Sequence, residues 1–185
     1  GDTNSWLGPL VISITAIGEV TPGKEWRRSG AKPGDGILVT GYCGGSILGK
    51  HFDFSPRVRE ALLLAERYDI HAAMDVSDGL SLDLSRMCEA SGCGAVLDWR
   101  QIPIAPAAFE LESADGRLAL QHALGDGEDF ELILAAAPTI AAELLSKQPL
   151  GIPLTCIGRF VKEAGLWENA PDGTRQMLTP QGYEH

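Results

Sequence analysis

His71-Ala72-Ala73-Met74-Asp75-Val76-Ser77-Asp78-Gly79-Leu80 is the stretch that decides the fold. Its first residues are mostly apolar, and the next five carry three polar residues, Asp75, Ser77 and Asp78, and end in glycine. From Leu80 onward, Leu80, Leu84, Met87 and Cys88 fall on one helical face until Ser91-Gly92 closes the element. A strand therefore runs through a polar turn into an amphipathic helix. Upstream, Ile37-Leu38-Val39-Thr40 reads as a short buried strand that enters the glycine-rich turn Gly41-Tyr42-Cys43-Gly44-Gly45-Ser46. Ser55-Pro56 then has the form of a helix start, Ser as N-cap and Pro at the first helical position, with Val58, Ala61, Leu62 and Ala65 as its apolar stripe. Downstream, Ala95-Val96-Leu97 is a strand, and Pro103 and Pro106 predict a loop after it. Gly125-Asp126-Gly127-Glu128-Asp129 breaks the chain before a strand at Phe130-Glu131-Leu132-Ile133-Leu134. A helix over 139–147, a strand over 154–160 and a hairpin or loop over 163–185 complete the reading. Strands and helices mingle without strict alternation, so the expected class is α/β (α+β): a mixed sheet with flanking helices.

Residues 9–18 predict one further strand, with Leu10, Ile12, Ile14 and Ala16 alternating against Val11, Ser13, Thr15 and Ile17. The turns Pro22-Gly23 and Pro33-Gly34 follow it. We place a boundary there, with 1–32 as the tail of a truncated N-terminal domain and 33–185 as the C-terminal domain. The first residue is Gly1, and Gly1-Asp2-Thr3-Asn4 is already dense and polar, which predicts a sequence cut from something longer. A net charge of −10 argues against nucleic acid or an anionic membrane as partner, since both need basic surface. It leaves room for polyphosphate if metal ions stand between the two anions. No apolar run approaches the roughly 18 residues of a membrane helix. Cys43, Cys88, Cys93 and Cys156 lack the spacing of a zinc knuckle or a redox pair and read as buried free thiols of a cytoplasmic protein.

Carboxylates gather where glycine lets the backbone approach a ligand. Asp2 follows Gly1, Asp75 and Asp78 flank Ser77 ahead of Gly79, and Asp126, Glu128 and Asp129 interleave with Gly125 and Gly127. Such loops suit Mg²⁺, which takes oxygen ligands and retains waters that a phosphate can replace. The helix start after Gly79 would attract an anion through free N–H groups. Ordinary capping needs one polar residue there, and this junction carries three. For residues 125–129, a plain polar turn and a ligand site are equally compatible with the spacing. The turn from Gly41 to Ser46 could cradle phosphate, but it lacks the Lys-Ser/Thr of a P-loop. Arg27-Arg28-Ser29-Gly30 is either a solvated loop or the source of an arginine for polyphosphate. His51, His71 and His122 lack metal-ligand spacing.

Taken in order, Gly1-Asp2-Thr3, Arg28-Ser29-Gly30-Ala31-Lys32-Pro33-Gly34-Asp35, Ser55-Pro56-Arg57, Met74-Asp75-Val76-Ser77-Asp78-Gly79-Leu80, Gly127-Glu128-Asp129-Phe130-Glu131-Leu132, Ile157-Gly158-Arg159 and Gly182-Tyr183-Glu184-His185 resemble the motifs of the thiamine-monophosphate kinases, in the aminoimidazole-ribotide synthetase superfamily. The resemblance implies an ATP- and Mg²⁺-dependent phosphorylation of thiamine monophosphate to thiamine diphosphate, by an enzyme that is a homodimer at full length. By position, Asp2, Asp75 and Asp78 match metal-binding carboxylates. Arg28 and Ser77 match residues that contact ATP, Glu128 one that contacts thiamine phosphate, and Tyr183 a terminal aromatic that packs on the substrate. It implies no protein nucleophile and no assigned acid or base. Three departures stand out. The family's preceding ATP-binding domain is not in this sequence, Asn4-Ser5-Trp6-Leu7 lengthens the link to Gly8-Pro9, and Asp126 replaces a common glycine. The rival readings are a selenophosphate or aminoimidazole-ribotide synthetase, and a non-catalytic nucleotide-binding partner subunit.

Overall fold

A computed structural model describes residues 7–169 and 174–183. Its centre is β1 (Gly36–Thr40), buried at every position. Ile37 and Val39 face one core while Leu38 faces the other, so the strand is covered on both sides and needs no polar alternation. Around it lie β2 (Ile70–Asp75), β3 (Gly94–Leu97), β4 (Leu132–Ala136), β5 (Leu154–Val161), β6 (Gly165–Asn169) and β7 (Arg175–Met177), in the order β2-β4-β1-β5-β3-β6-β7. The β3–β6 pair is parallel, and the other ladders are antiparallel. This is the mixed sheet expected from the sequence.

Helices cover both faces. On one, α2 (Leu80–Ser91) contributes Leu80, Leu84, Met87 and Cys88, and α4 (Ala119–Gly125) contributes Ala123 and Leu124. On the other, α1 (Val58–Arg67) contributes Leu64, and α5 (Pro138–Lys147) contributes Ala141 and Leu144. Between them in sequence lies α3 (Pro106–Asp115). Among the described residues no helix is long and apolar enough to cross a membrane.

The structure changes several sequence expectations. Residues 9–18 form no strand; Leu10, Ile12, Ile14 and Ile17 are exposed, and among the described residues no neighbouring strand completes a ladder with them. The stretch after Pro103 is not all loop, because Pro106 opens α3, a position where its missing N–H costs nothing. Helix α1 begins at Val58 with Arg57 as N-cap and no side-chain cap, so Ser55 is not its cap. Its buried residue is Leu64, whereas Val58 and Leu62 are exposed; the run Leu62-Leu63-Leu64 fits more than one helical phase. Strand β4 starts at Leu132 rather than Phe130, because Glu128 and Phe130 both adopt φ 52°, incompatible with an extended strand. The tail forms an antiparallel hairpin of β6 and β7, as one of the two expectations had it.

Candidate active-site cleft

Three backbone segments are sewn together beside the N-terminus of α2. Val76 N–H donates to Glu131 O at 2.8 Å, Phe130 N–H to Val76 O at 2.8 Å, and Glu128 N–H to Ser77 O at 2.7 Å. Tyr183 N–H donates to Asp78 O at 2.8 Å. Gly127, at φ 74°, lies so close that an added Cβ would stand 2.7 Å from Ser77 O. Glycine is required at that contact. The result is a cleft of about 390 Å³ lined by Ser77, Asp78, Asp126, Glu128, Phe130 and Tyr183. Phe54 stacks on Phe130 with ring centroids 4.0 Å apart, backing the cleft with a second aromatic ring.

Four of the sequence-derived site residues therefore meet: Ser77, Asp78, Glu128 and Tyr183. Asp75 is exposed at the end of β2 and does not line the cleft. Arg28 is exposed and also lies outside it; its carbonyl accepts from Ser91 Oγ at 3.3 Å, at the other end of α2. A helix of 12 residues separates the two ends by roughly 18 Å. Asp2 lies outside the described residues.

Both backbone turns that looked open to an anion are filled by the chain's own carboxylates. At α2, Asp83 Oδ2 accepts from the N–H groups of Ser77 at 2.9 Å, Asp78 at 2.9 Å and Gly79 at 3.2 Å. The expectation of free N–H groups there is corrected accordingly. In the glycine-rich turn, Gly44 N–H donates to both oxygens of Asp129 at 3.0 Å, and Gly45 N–H to Asp126 Oδ2 at 3.1 Å. His122, buried and unassigned by spacing, holds Asp126 from behind. Its Nδ1 is 2.9 Å from Asp126 Oδ2 and its Nε2 3.3 Å from Asp115 Oδ1.

Burial sets the electrostatics. It pushes Asp129 up to about 7 against the pull of the Gly44 N–H and the Lys50 charge. Burial also pushes Glu131 upward, but the Arg57 guanidinium, Lys50 and the Thr40 hydroxyl outweigh it and hold the carboxyl below its ordinary range. Glu131 binds Arg57 through two contacts of 2.7 Å and Lys50 at 3.0 Å. Asp83 is raised, first by burial, although the N–H groups of Asp78, Ser77 and Gly79 oppose the shift. Asp78 also pairs with Arg86, which reaches Asp83 Oδ1 at 3.0 Å. Burial raises the Cys43 thiol well above its usual value and the Cys88 thiol to about 12, so neither is a ready nucleophile. Among the described residues, no cluster of three or more His, Cys, Asp or Glu side chains is disposed to hold a metal ion.

Sequence reasoning missed Phe130 as a lining residue, and Asp83, Arg86, Lys50 and Arg57 as supports. Asp83 carried a readable signal: it sits three residues after Leu80 and four before Met87, on the apolar stripe of α2. A carboxylate on a buried face must find partners inside the protein.

The fold, with this cleft at the start of α2, defines the class. The chain belongs to the family of AIR synthase related proteins through their C-terminal domain, whose model matches residues 29–166. Over all 185 residues it is 44% identical to the thiamine-monophosphate kinase of Rhodopirellula baltica, of which it spans 58%. The crystal structure of thiamine-monophosphate kinase from Stenotrophomonas maltophilia K279a is 32% identical with a TM-score of 0.68, covering 83% of this chain and 55% of that one. A structure of AaThiL complexed with AMPPCP and TMP shares the fold, at 22% identity and a TM-score of 0.66, covering 86% of this chain and 54% of that one. The chain thus spans between half and three-fifths of the length of these relatives.

Proposed function

We propose that this chain is the carboxy-terminal part of a kinase that transfers the γ-phosphoryl group of ATP to thiamine monophosphate, giving thiamine diphosphate. The observation that carries the reading is the meeting of Ser77 and Asp78 with Glu128, Phe130 and Tyr183 in one cleft. Carboxylates beside aromatic faces suit a cationic heteroaromatic ring. A polar turn alongside suits the phosphate end of the same molecule, reached through a cation. The kinase named for R. baltica, matched along the whole chain, supports this substrate. In this reading residues 1–32 are the tail of a preceding ATP-binding domain and 33–185 the C-terminal domain. The family match begins at residue 29, and β1 begins at Gly36.

Both reactants are anions, so the chief task is to hold them together and offset their charge. Asp75 and Asp78, with Asp2, are hard oxygen donors of the kind Mg²⁺ takes. Mg²⁺ is commonly held by one or two carboxylates together with substrate phosphates. When bound, the ion would supply positive charge that offsets part of the negative charge of the phosphates. Ser77 would orient a phosphate, Glu128 and Tyr183 would hold the acceptor, and Arg28 would meet the nucleotide from outside the cleft. A phosphate monoester is already largely ionised near pH 7, so no strong general base is required. The enzyme acts in the cytoplasm as a homodimer.

The test compares wild type with the Asp75→Asn/Asp78→Asn double variant in the complete protein. Thiamine diphosphate formation should be lost while folding is retained. Turnover kept at saturating Mg²⁺ refutes the metal roles, and turnover of another phosphorylated acceptor alone refutes the substrate.

A further inference from the structure

A helix start with free N–H groups binds phosphate oxygens directly. At α2 that possibility is closed from within. One oxygen of Asp83 takes the N–H groups of three successive residues, Ser77, Asp78 and Gly79. Its other oxygen takes Arg86, and the same guanidinium pairs with Asp78. The Asp83 side chain is fully buried, whereas Arg86 is 32% exposed. Charge-assisted hydrogen bonds donated to a buried carboxylate are strong and directional, so this carboxylate sets the shape of the turn.

We propose that Asp83 is a positioning residue that fills the N–H cradle at the start of α2, holds Asp78 at the cleft together with Arg86, and reserves the turn for ligands that arrive with a cation rather than as bare anions. The proposal rests on the cleft being the kinase site described above. Its chemistry follows from charge. An unfilled cradle would present three N–H donors to an incoming anion. With Asp83 in place those donors are used, and the turn presents to the cleft the carboxylate of Asp78, held by Arg86. A phosphate then approaches only through a positive ion.

Asp83→Ala removes a carboxyl group of the size and shape of formate. Thermal unfolding of the 185-residue chain, at ionic strength held constant with NaCl, is measured against sodium formate and sodium acetate. We expect formate at ten times its Kd to raise the Tm of the variant by about 3–5 °C, with wild type unmoved and the bulkier acetate less effective. Equal responses of wild type and variant, or no response of the variant, overturn the proposal. Mn²⁺ binding, followed by electron paramagnetic resonance, should be at least fivefold weaker in Asp83→Ala and should recover with formate. Equal Mn²⁺ affinity without formate overturns the positioning role. If wild type binds no Mn²⁺, the metal reading fails and the formate result decides this proposal separately. Should Asp83→Ala not fold, amide hydrogen exchange of wild type decides: slow exchange at Ser77, Asp78 and Gly79 supports the cradle, and unprotected exchange overturns it.

Discussion

Arg57→Ala is the most informative perturbation of the scaffold behind the cleft. The Glu131 side chain is 1% exposed, and Arg57, at 17%, closes over it. Two guanidinium contacts of 2.7 Å, Lys50 at 3.0 Å and the Thr40 hydroxyl at 2.8 Å satisfy the carboxylate. Removing one partner of a buried ion pair costs about 3–5 kcal/mol. Lys50 and Thr40 remain to share the charge here, and the space left by Arg57 opens toward solvent. We therefore expect a loss of about 2–3 kcal/mol, or about 4–12 °C in Tm for a chain of this size. Urea denaturation should show a lower midpoint at constant m. Arg57→Ala combined with Glu131→Gln should cost less than the two single losses added, because a neutral amide no longer demands a cation. Acid behaviour supplies an independent check. Glu131 is held below its ordinary value of 4.5, so its contribution is present above that pH and lost as pH falls through the lower folded value. Without Arg57 the folded value rises toward 4.5, so the loss on acidification becomes smaller and is complete at higher pH. A variant within about 0.5 kcal/mol of wild type, the ordinary range for a surface change, would refute the reasoning, as would an unaltered acid profile.

Asp129 gives the opposite pH dependence. Its folded value of about 7 lies above the ordinary 3.8, so the folded state retains a proton that the unfolded chain has lost. Its effect is to lower stability as pH rises through that window, with no further change above it. Asp129→Asn should remove this slope, and Tm profiles of the two proteins from pH 5 to 8 that run parallel would refute it. The exposed segment 9–18 contributes little to the stability of the described domain. Ile12 and Ile14 are 74% and 88% exposed, so Ile12→Ser/Ile14→Ser should leave the Tm unchanged while reducing aggregation measured by light scattering. A fall of several degrees would show that the segment packs.

The motifs were legible because they are local. Residues 75–79 combine a strand end, glycine and polar side chains, and the structure places Ser77 and Asp78 in a cleft as that composition suggests. Helix α2, strands β1, β3 and β5, and helix α5 were equally legible, since periodicity and caps lie within a short window. Helix α3 was not, because Pro106 signals a loop as readily as a helix start. The strand expected over 9–18 carries a genuine alternating pattern, but pairing is a property of two segments and not of one. The filled anion cradles were hidden for a related reason. Glycine and helix starts advertise N–H donors, while Asp83 lies four or more residues away and Asp129 more than eighty.

The connection between the motifs explains why the cleft forms where it does. Gly127 brings its segment against Ser77, and the 2.7 Å bond from Glu128 N–H to Ser77 O fixes the register between the two. That register sends Glu128 and Phe130 into positive φ, which ends the ladder of β2 and β4 and turns Phe130 into the cleft. The same segment carries Asp129 and Glu131 inward, where they take Gly44, Lys50, Arg57 and Thr40. Residues exposed to ligand thus interleave with residues that anchor the surrounding turns. A substitution at Asp129 or Glu131 should disturb ligand binding without touching ligand, and one at Glu128 should disturb binding while leaving the scaffold intact. The division follows from side-chain burial: Glu128 is exposed, whereas Asp129 and Glu131 are 1% exposed.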